Sequence, residues 1–193
     1  KGKDRVLIDP NAWATDGATA LDQWTPSPDG KRLAYSIQDG GSDWRTIKVI
    51  DVKSGQPLAD EIKWAKFTNI AWVGNEGFLY SRFAEPRKGQ EFQALNENQT
   101  LYFHRIGTPQ DEDVAVYATP DRPKLGHSAQ VTHDNRWVVI TSSEGTDEKH
   151  EINLISISSS RGKLLPVEQW KRRAPAQGRE HDWQLTEGIG DQI

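Results

Sequence analysis

A unit that recurs about every 50 residues constrains this chain more than any other feature. Each copy opens on a turn rich in Asp, Asn and Gly, passes through a short apolar strand, and continues into a second, alternating strand. The first strand reads Leu33-Ala34-Tyr35-Ser36-Ile37, then Gly77-Phe78-Leu79-Tyr80-Ser81, then Trp137-Val138-Val139-Ile140-Thr141. The second reads Ile47 to Val52, Leu101 to Ile106 and Ile152 to Ile157, at steps of 54 and 51 residues. Apolar and polar residues largely alternate in each, which is the period of a strand rather than a helix. Ser27-Pro28-Asp29-Gly30, Gly74-Asn75-Glu76-Gly77 and His133-Asp134-Asn135 each precede a first strand and supply residues that tolerate tight hairpins.

Repeats of this kind predict an all-β fold of stacked antiparallel sheets, a partial β-propeller, in preference to a sandwich. Propellers close with about four to eight blades of four strands. The chain is therefore expected to hold about three blades and the start of another, all within residues 1–193 as part of one propeller domain. The opening of a further strand is expected just before Gly190-Asp191-Gln192-Ile193, where the sequence stops, and both ends of the chain read as cut. A segment isolated in this way would expose sheet edges and apolar inter-blade faces, and it is expected to self-associate.

The net charge of −4 gives no electrostatic footprint for nucleic acid or an anionic membrane. No apolar run approaches the ~20 residues that span a bilayer. Zero cysteines exclude disulfides, thiolate metal sites and cysteine nucleophiles from this segment. Most of the eight tryptophans fall on or beside strands, as with Trp44, Trp64, Trp72, Trp137 and Trp183, and are expected to fill the wedges between sheets.

Candidate chemistry is thin. Gly126-His127-Ser128-Ala129-Gln130 resembles a nucleophile elbow, but Gln130 replaces the glycine that the sharp turn needs and no helix pattern follows, so Ser128 is not read as a nucleophile. The five histidines, at 104, 127, 133, 150 and 181, lack zinc-type spacing and are read as surface or structural. Glu144 to Glu148 forms an acidic loop tip with too few regularly spaced oxygens for calcium. Lys171-Arg172-Arg173 is read as part of a solvated connection. No phosphate loop or dinucleotide fingerprint occurs, and no cofactor or metal is expected.

An ordered set of short motifs carries a family resemblance. Asp9-Pro10-Asn11-Ala12, the stretch from Ser27 to Tyr35, Gly41-Ser42-Asp43-Trp44, Lys66-Phe67-Thr68, Asn75 to Tyr80, His104 to Pro109 and Glu144-Gly145-Thr146-Asp147 occur in the order seen in prolyl oligopeptidases. The match runs from about Asp4 to about Asp147 and weakens after that. The chain thus resembles the first blades of that family's seven-bladed propeller. The resemblance implies a serine peptidase that cleaves short peptides after proline. Its Ser, Asp and His lie in an α/β-hydrolase domain of the same polypeptide, a domain absent from this chain. In such an arrangement the propeller covers the active site, and a narrow opening selects by size.

Two substrate contacts are implied. Phe67 matches a phenylalanine that the propeller contributes to the substrate cavity, whereas read from the residues alone it is an ordinary core strand position. Thr146 stands where many relatives place a cysteine, so thiol sensitivity from that position is not expected. Gly126 falls where some relatives have a methionine, and that contact is not carried over. The compartment is expected to be cytoplasmic, with periplasmic or secreted as the alternative. A propeller scaffold that binds peptides or proteins without catalysis is the alternative function.

Overall fold

The computed structural model describes residues 4–13, 19–38, 40–91 and 95–172. Among these residues, twelve strands lie in three consecutive blades. Blade 1 holds β1 (Ala20–Pro26), β2 (Arg32–Gln38), β3 (Arg45–Asp51) and β4 (Pro57–Ala65). Blade 2 holds β5 (Ala71–Val73), β6 (Gly77–Arg82), β7 (Thr100–Arg105) and β8 (Val114–Tyr117). Blade 3 holds β9 (Leu125–Val131), β10 (Trp137–Glu144), β11 (Glu151–Ser156) and β12 (Lys171–Arg172). Every neighbouring pair within a blade is antiparallel, and one further pairing, Ala65 with Arg82, stitches β4 to β6 across the first two blades. The partial propeller expected from the repeat is the observed fold. The fourth blade and Trp183 lie outside the described residues.

The six strands read from sequence are β2, β3, β6, β7, β10 and β11, each within three residues of the expected limits. The repeat is also visible in the backbone. Val52 N–H donates to Lys31 O at 2.8 Å, Ile106 N–H to Glu76 O at 3.0 Å, and Ile157 N–H to Arg136 O at 3.0 Å, closing each hairpin in the same way. In blades 1 and 3 the preceding turn is built by a hydroxyl and an aspartate. Ser27 Oγ donates to Asp29 and Thr132 Oγ1 to Asp134, while the amides of Lys31 and Arg136 donate to those same carboxylates at 3.1 Å. The turns are also linked from blade to blade. Asn75 Oδ1 accepts from Asp29 N–H at 3.0 Å, and Asn135 Oδ1 accepts from Gly74 N–H at 3.3 Å.

Apolar packing lies between blades rather than within them. Ala34, Ile47, Val49 and Ile62 of blade 1 pack with Trp72, Phe78 and Tyr80 of blade 2. Leu79, Leu101 and Phe103 of blade 2 pack with Ala129, Val138, Ile140 and Ile155 of blade 3. Strand β6, in the middle blade, is buried on both faces, whereas β10 is buried only at alternate residues. Each such large aliphatic or aromatic side chain contributes about 1.5–3 kcal/mol through burial. Trp72 fills the first wedge as expected, and its indole N–H donates to Thr25 O at 3.0 Å. Trp137 is half-buried on β10, while Trp44 and Trp64 stand edge-on to each other at 5.7 Å.

The expectation for Lys171-Arg172-Arg173 needs correction. Lys171 and Arg172 form β12, paired with Ser156 and Ile155, and Arg172 donates to Asn153 Oδ1 at 2.5 Å. Both side chains are exposed, so charge masked an edge strand that the backbone could still form. Arg173 lies outside the described residues.

Each wedge also buries a histidine. His104 of β7 faces two carboxylates, with Nε2 at 2.9 Å from Asp60 Oδ1 of β4 and Nδ1 at 2.6 Å from Asp113 Oδ1. Ionised carboxylates only accept, so both ring nitrogens must donate and the ring is an imidazolium. Burial pushes the ring toward the neutral form, but the hydrogen bonds and charges of Asp113 and Asp60 outweigh it and raise the pKa to about 9. Tyr80 Oη donates to Asp113 Oδ2 at 2.5 Å, and Gly107 N–H donates at 2.6 Å to the same Asp60 oxygen that faces the ring. His127 of β9 has only hydroxyl partners, Ser142 Oγ at 2.8 Å and Thr119 Oγ1 at 3.2 Å. Burial, and then the Arg122 charge, lower its pKa to about 4.

Candidate peptide-contact cavity

The segment that follows β4 positions the candidate site. Trp64 and Phe67 have φ of 62° and 51°, in the left-handed region that bulky residues rarely adopt. Such a conformation is unfavourable by about 1–2 kcal/mol per residue, so the surroundings must hold it. All three blades do so. Gln23 of β1 donates to Thr68 O at 2.9 Å, and Ser81 N–H of β6 donates to Thr68 Oγ1 at 2.6 Å. Asn69 makes a paired contact with β9, donating to Ala129 O at 2.7 Å and accepting from Ala129 N–H at 3.3 Å. Gln99, just before β7, donates to Lys66 O at 2.7 Å and Phe67 O at 3.3 Å.

This clamp leaves Phe67 60% exposed. The reading of Phe67 as an ordinary core strand residue is overturned, because it lies beyond the end of β4 with its backbone turned left-handed. The Lys66 ammonium lies 5.1 Å from the Phe67 ring centroid and 5.0 Å from that of Trp44, and it pairs with Asp43 at 3.7 Å.

Phe67 forms one wall of a cavity of about 680 Å³. Phe83 and Leu95 extend the apolar side, and Gly126 and His127 of β9 form a strand wall. Thr146 closes the cavity from the loop after β10, together with Gly145. Both expected contacts, Phe67 and Thr146, therefore face one cavity although 79 residues separate them in the sequence. Glu97, Lys124, Glu144 and His150 add ionisable groups around the same space. An apolar wall, a polar strand edge and mixed charges suit an extended peptide better than a small anion or a metal.

Ser128 and Glu144 also border this cavity, but neither brings the chemistry its motif suggested. Ser128 sits mid-strand in β9, exposed and without the strand-to-helix turn of a nucleophile elbow. The acidic tip folds on itself, with Asp147 N–H donating to Glu144 O at 3.0 Å. Among the described residues no group of three or more His, Asp or Glu side chains is arranged to hold a metal. Also among the described residues, no helix is long and apolar enough to cross a membrane. Sequence reasoning missed Gln99 and the Asp60–His104–Asp113 cluster. The sole signal for the latter was a histidine three residues before Gly107 of the Gly107-Thr108 turn.

Residues 1–188 match the family described as the prolyl oligopeptidase N-terminal beta-propeller domain. The chain belongs to the prolyl oligopeptidase family. It is 34% identical over 146 residues to the prolyl endopeptidase of Elizabethkingia meningoseptica, covering 76% of this chain and 21% of that protein. It is 32% identical over 165 residues to the dual function macrocyclase-peptidase POPB of Galerina marginata, covering 78% and 22%. Among solved structures, one from work on two prolyl endopeptidases and their inter-domain dynamics superposes with a TM-score of 0.75 at 53% identity, covering 90% of this chain and 23% of that one. Prolyl oligopeptidase B from Galerina marginata bound to a 25mer macrocyclization substrate superposes at 0.74 with 28% identity, covering 86% and 24%. The chain spans about a fifth of the length of the curated relatives it matches.

Proposed function

We propose that this chain is the propeller part of a serine peptidase that cleaves short peptides after proline, and that it gates access and filters substrates by size. The observation that carries this reading is the convergence of Phe67 and Thr146 on one cavity in a member of this family. Residues 1–193 belong to one propeller domain, and the nucleophile, acid and base come from an α/β-hydrolase domain of the same polypeptide. Phe67 contacts the peptide upstream of the proline, its ring presented by a backbone that three blades hold rigid. Thr146 borders the same space and offers a hydroxyl where a thiol would react. A propeller set over the active site admits an extended peptide and excludes a folded domain, and closure keeps water from the reacting groups. The working compartment is the cytoplasm.

The test is hydrolysis of a blocked Gly-Pro fluorogenic peptide by the full-length protein, with the 193-residue chain as control. Cleavage after proline by the full-length protein alone is the expected result. Phe67→Ala should then raise KM more than it lowers kcat, since it removes a contact made in ground and transition states alike. Inactivity of both proteins, together with retention of proline-containing peptides, would replace the peptidase with a binding scaffold.

A further inference from the structure

We propose that Gln99 is the positioning residue of the peptide cavity, its carboxamide tying the left-handed backbone of Phe67 to strand β9 so that one buried side chain sets both walls. The proposal rests on the reading of this cavity as the peptide site. Gln99 is 1% exposed, so it acts through its neighbours rather than by touching a peptide. Its Nε2 donates to the carbonyls of Lys66 and Phe67, at 2.7 and 3.3 Å, and its Oε1 accepts from His127 N–H at 2.5 Å. The carboxamide thus uses its amide hydrogens on one wall and its oxygen on the other. A carboxamide offers a donor and an acceptor at once without any change of protonation.

Three further observations point the same way. Phe67 is bulky and left-handed, so without the two carbonyl contacts its backbone gains by relaxing to negative φ. The Lys66 ammonium, 5.1 Å from the ring centroid, orients the ring plane but not the main chain. The approach of Gln99 to β9 is close as well. A β-carbon at Gly126 would lie 3.3 Å from Gln99 Oε1, so the strand wall stays bare beside the carboxamide. Sequence separations of 32 residues to Phe67 and 28 to His127 mean that the contact exists only in the assembled blades.

The experiment uses the full-length protein and two fluorogenic substrates: a blocked Gly-Pro peptide, and the same peptide extended upstream by a phenylalanine. Gln99→Ala is expected to raise KM for the extended peptide roughly tenfold relative to the shorter one, the scale of leaving a buried hydrogen-bonding partner unmet. Because part of the Gln99 effect runs through Phe67, the double variant Phe67→Ala/Gln99→Ala should fall clearly short of the sum of the two single effects. Ile62→Val, a trimmed core residue of blade 1, is the stability control and should leave the KM ratio of the two peptides in place. If the truncation does not fold, Gln99→Glu keeps the acceptor for His127 and turns a carboxylate toward the two carbonyls, and the same shift is expected.

An unmoved KM ratio, or additive effects in the double variant, would overturn the proposal. Should the wild-type protein cleave neither peptide, the peptidase reading fails and the proposal is judged on structure alone. A crystal structure of the Gln99 variant with Phe67 at negative φ supports it, and one with Phe67 still left-handed overturns it.

Discussion

Blades 1 and 2 meet around a charged histidine, whereas blades 2 and 3 meet around a neutral one. His104 lies between carboxylates contributed by both blades, and His127 lies between two hydroxyls. Burial alone drives both rings toward the neutral form, so the difference comes from their neighbours. A buried charge is tolerated only when paired and hydrogen-bonded, and the pairing at His104 also fixes which strand of blade 1 faces which strand of blade 2. An apolar wedge with a neutral histidine sets fewer such constraints.

The largest expected effect separates the two wedges by mutation. His104→Ala leaves Asp60 and Asp113 as uncompensated buried charges and should destabilise the full-length protein by about 3–5 kcal/mol in urea unfolding. His127→Ala leaves hydroxyls that can turn to other partners and should fall nearer 1–3 kcal/mol. Equal losses would break the comparison.

Stability against pH sharpens it. The pKa of His104 is raised in the fold, so its contribution is complete below about 6.5 and is lost as pH rises through about 9. The pKa of His127 is lowered, so its contribution is complete above about 6.5 and is lost as pH falls toward about 4. Linkage then predicts a stability maximum near neutral to mildly acidic pH with one histidine on each limb. His104→Gln should flatten the alkaline limb of a melting-temperature profile and His127→Gln the acidic limb. The lowered pKa of Asp60 adds a further loss below the ordinary carboxylate range.

Gly77 and Gly126 make a smaller contrast. A β-carbon at Gly77 would overlap the His104 carbonyl oxygen and the Phe103 ring, so Gly77→Ala should cost about 1–3 kcal/mol by overpacking. At Gly126 the nearest atom is the end of the Gln99 side chain, and substitution there should affect peptide KM more than melting temperature. The smallest effect belongs to the exposed Arg122–Glu151 ion pair, whose removal by Arg122→Ala should change stability by under about 1 kcal/mol.

The central strands were legible because each contributes residues to an inter-blade wedge, which forces an apolar pattern at a regular step. Strand β12 was illegible for the opposite reason: its two residues are charged and exposed, so nothing but backbone pairing marks it. Strand β9 hid behind the partial nucleophile elbow, because Gly126, Ser128 and Gln130 interrupt the apolar signal on its exposed side. Phe67 and Thr146 could be picked out only through family resemblance. The left-handed backbone that exposes Phe67 depends on contacts to Gln23, Ser81, Gln99 and Ala129, and no local pattern announces a conformation imposed from outside the segment.

The asparagine links between successive turns run in one direction, each blade reaching back to the one before it through a single side-chain oxygen. A contact repeated in this head-to-tail sense sets a rotation per step, and a ring closes only when the steps sum to a full circle. Asn75 and Asn135 therefore behave as angular spacers. A residue inserted into either turn would leave its own hairpin nearly intact and appear instead as misalignment where the circle meets itself, far from the altered turn.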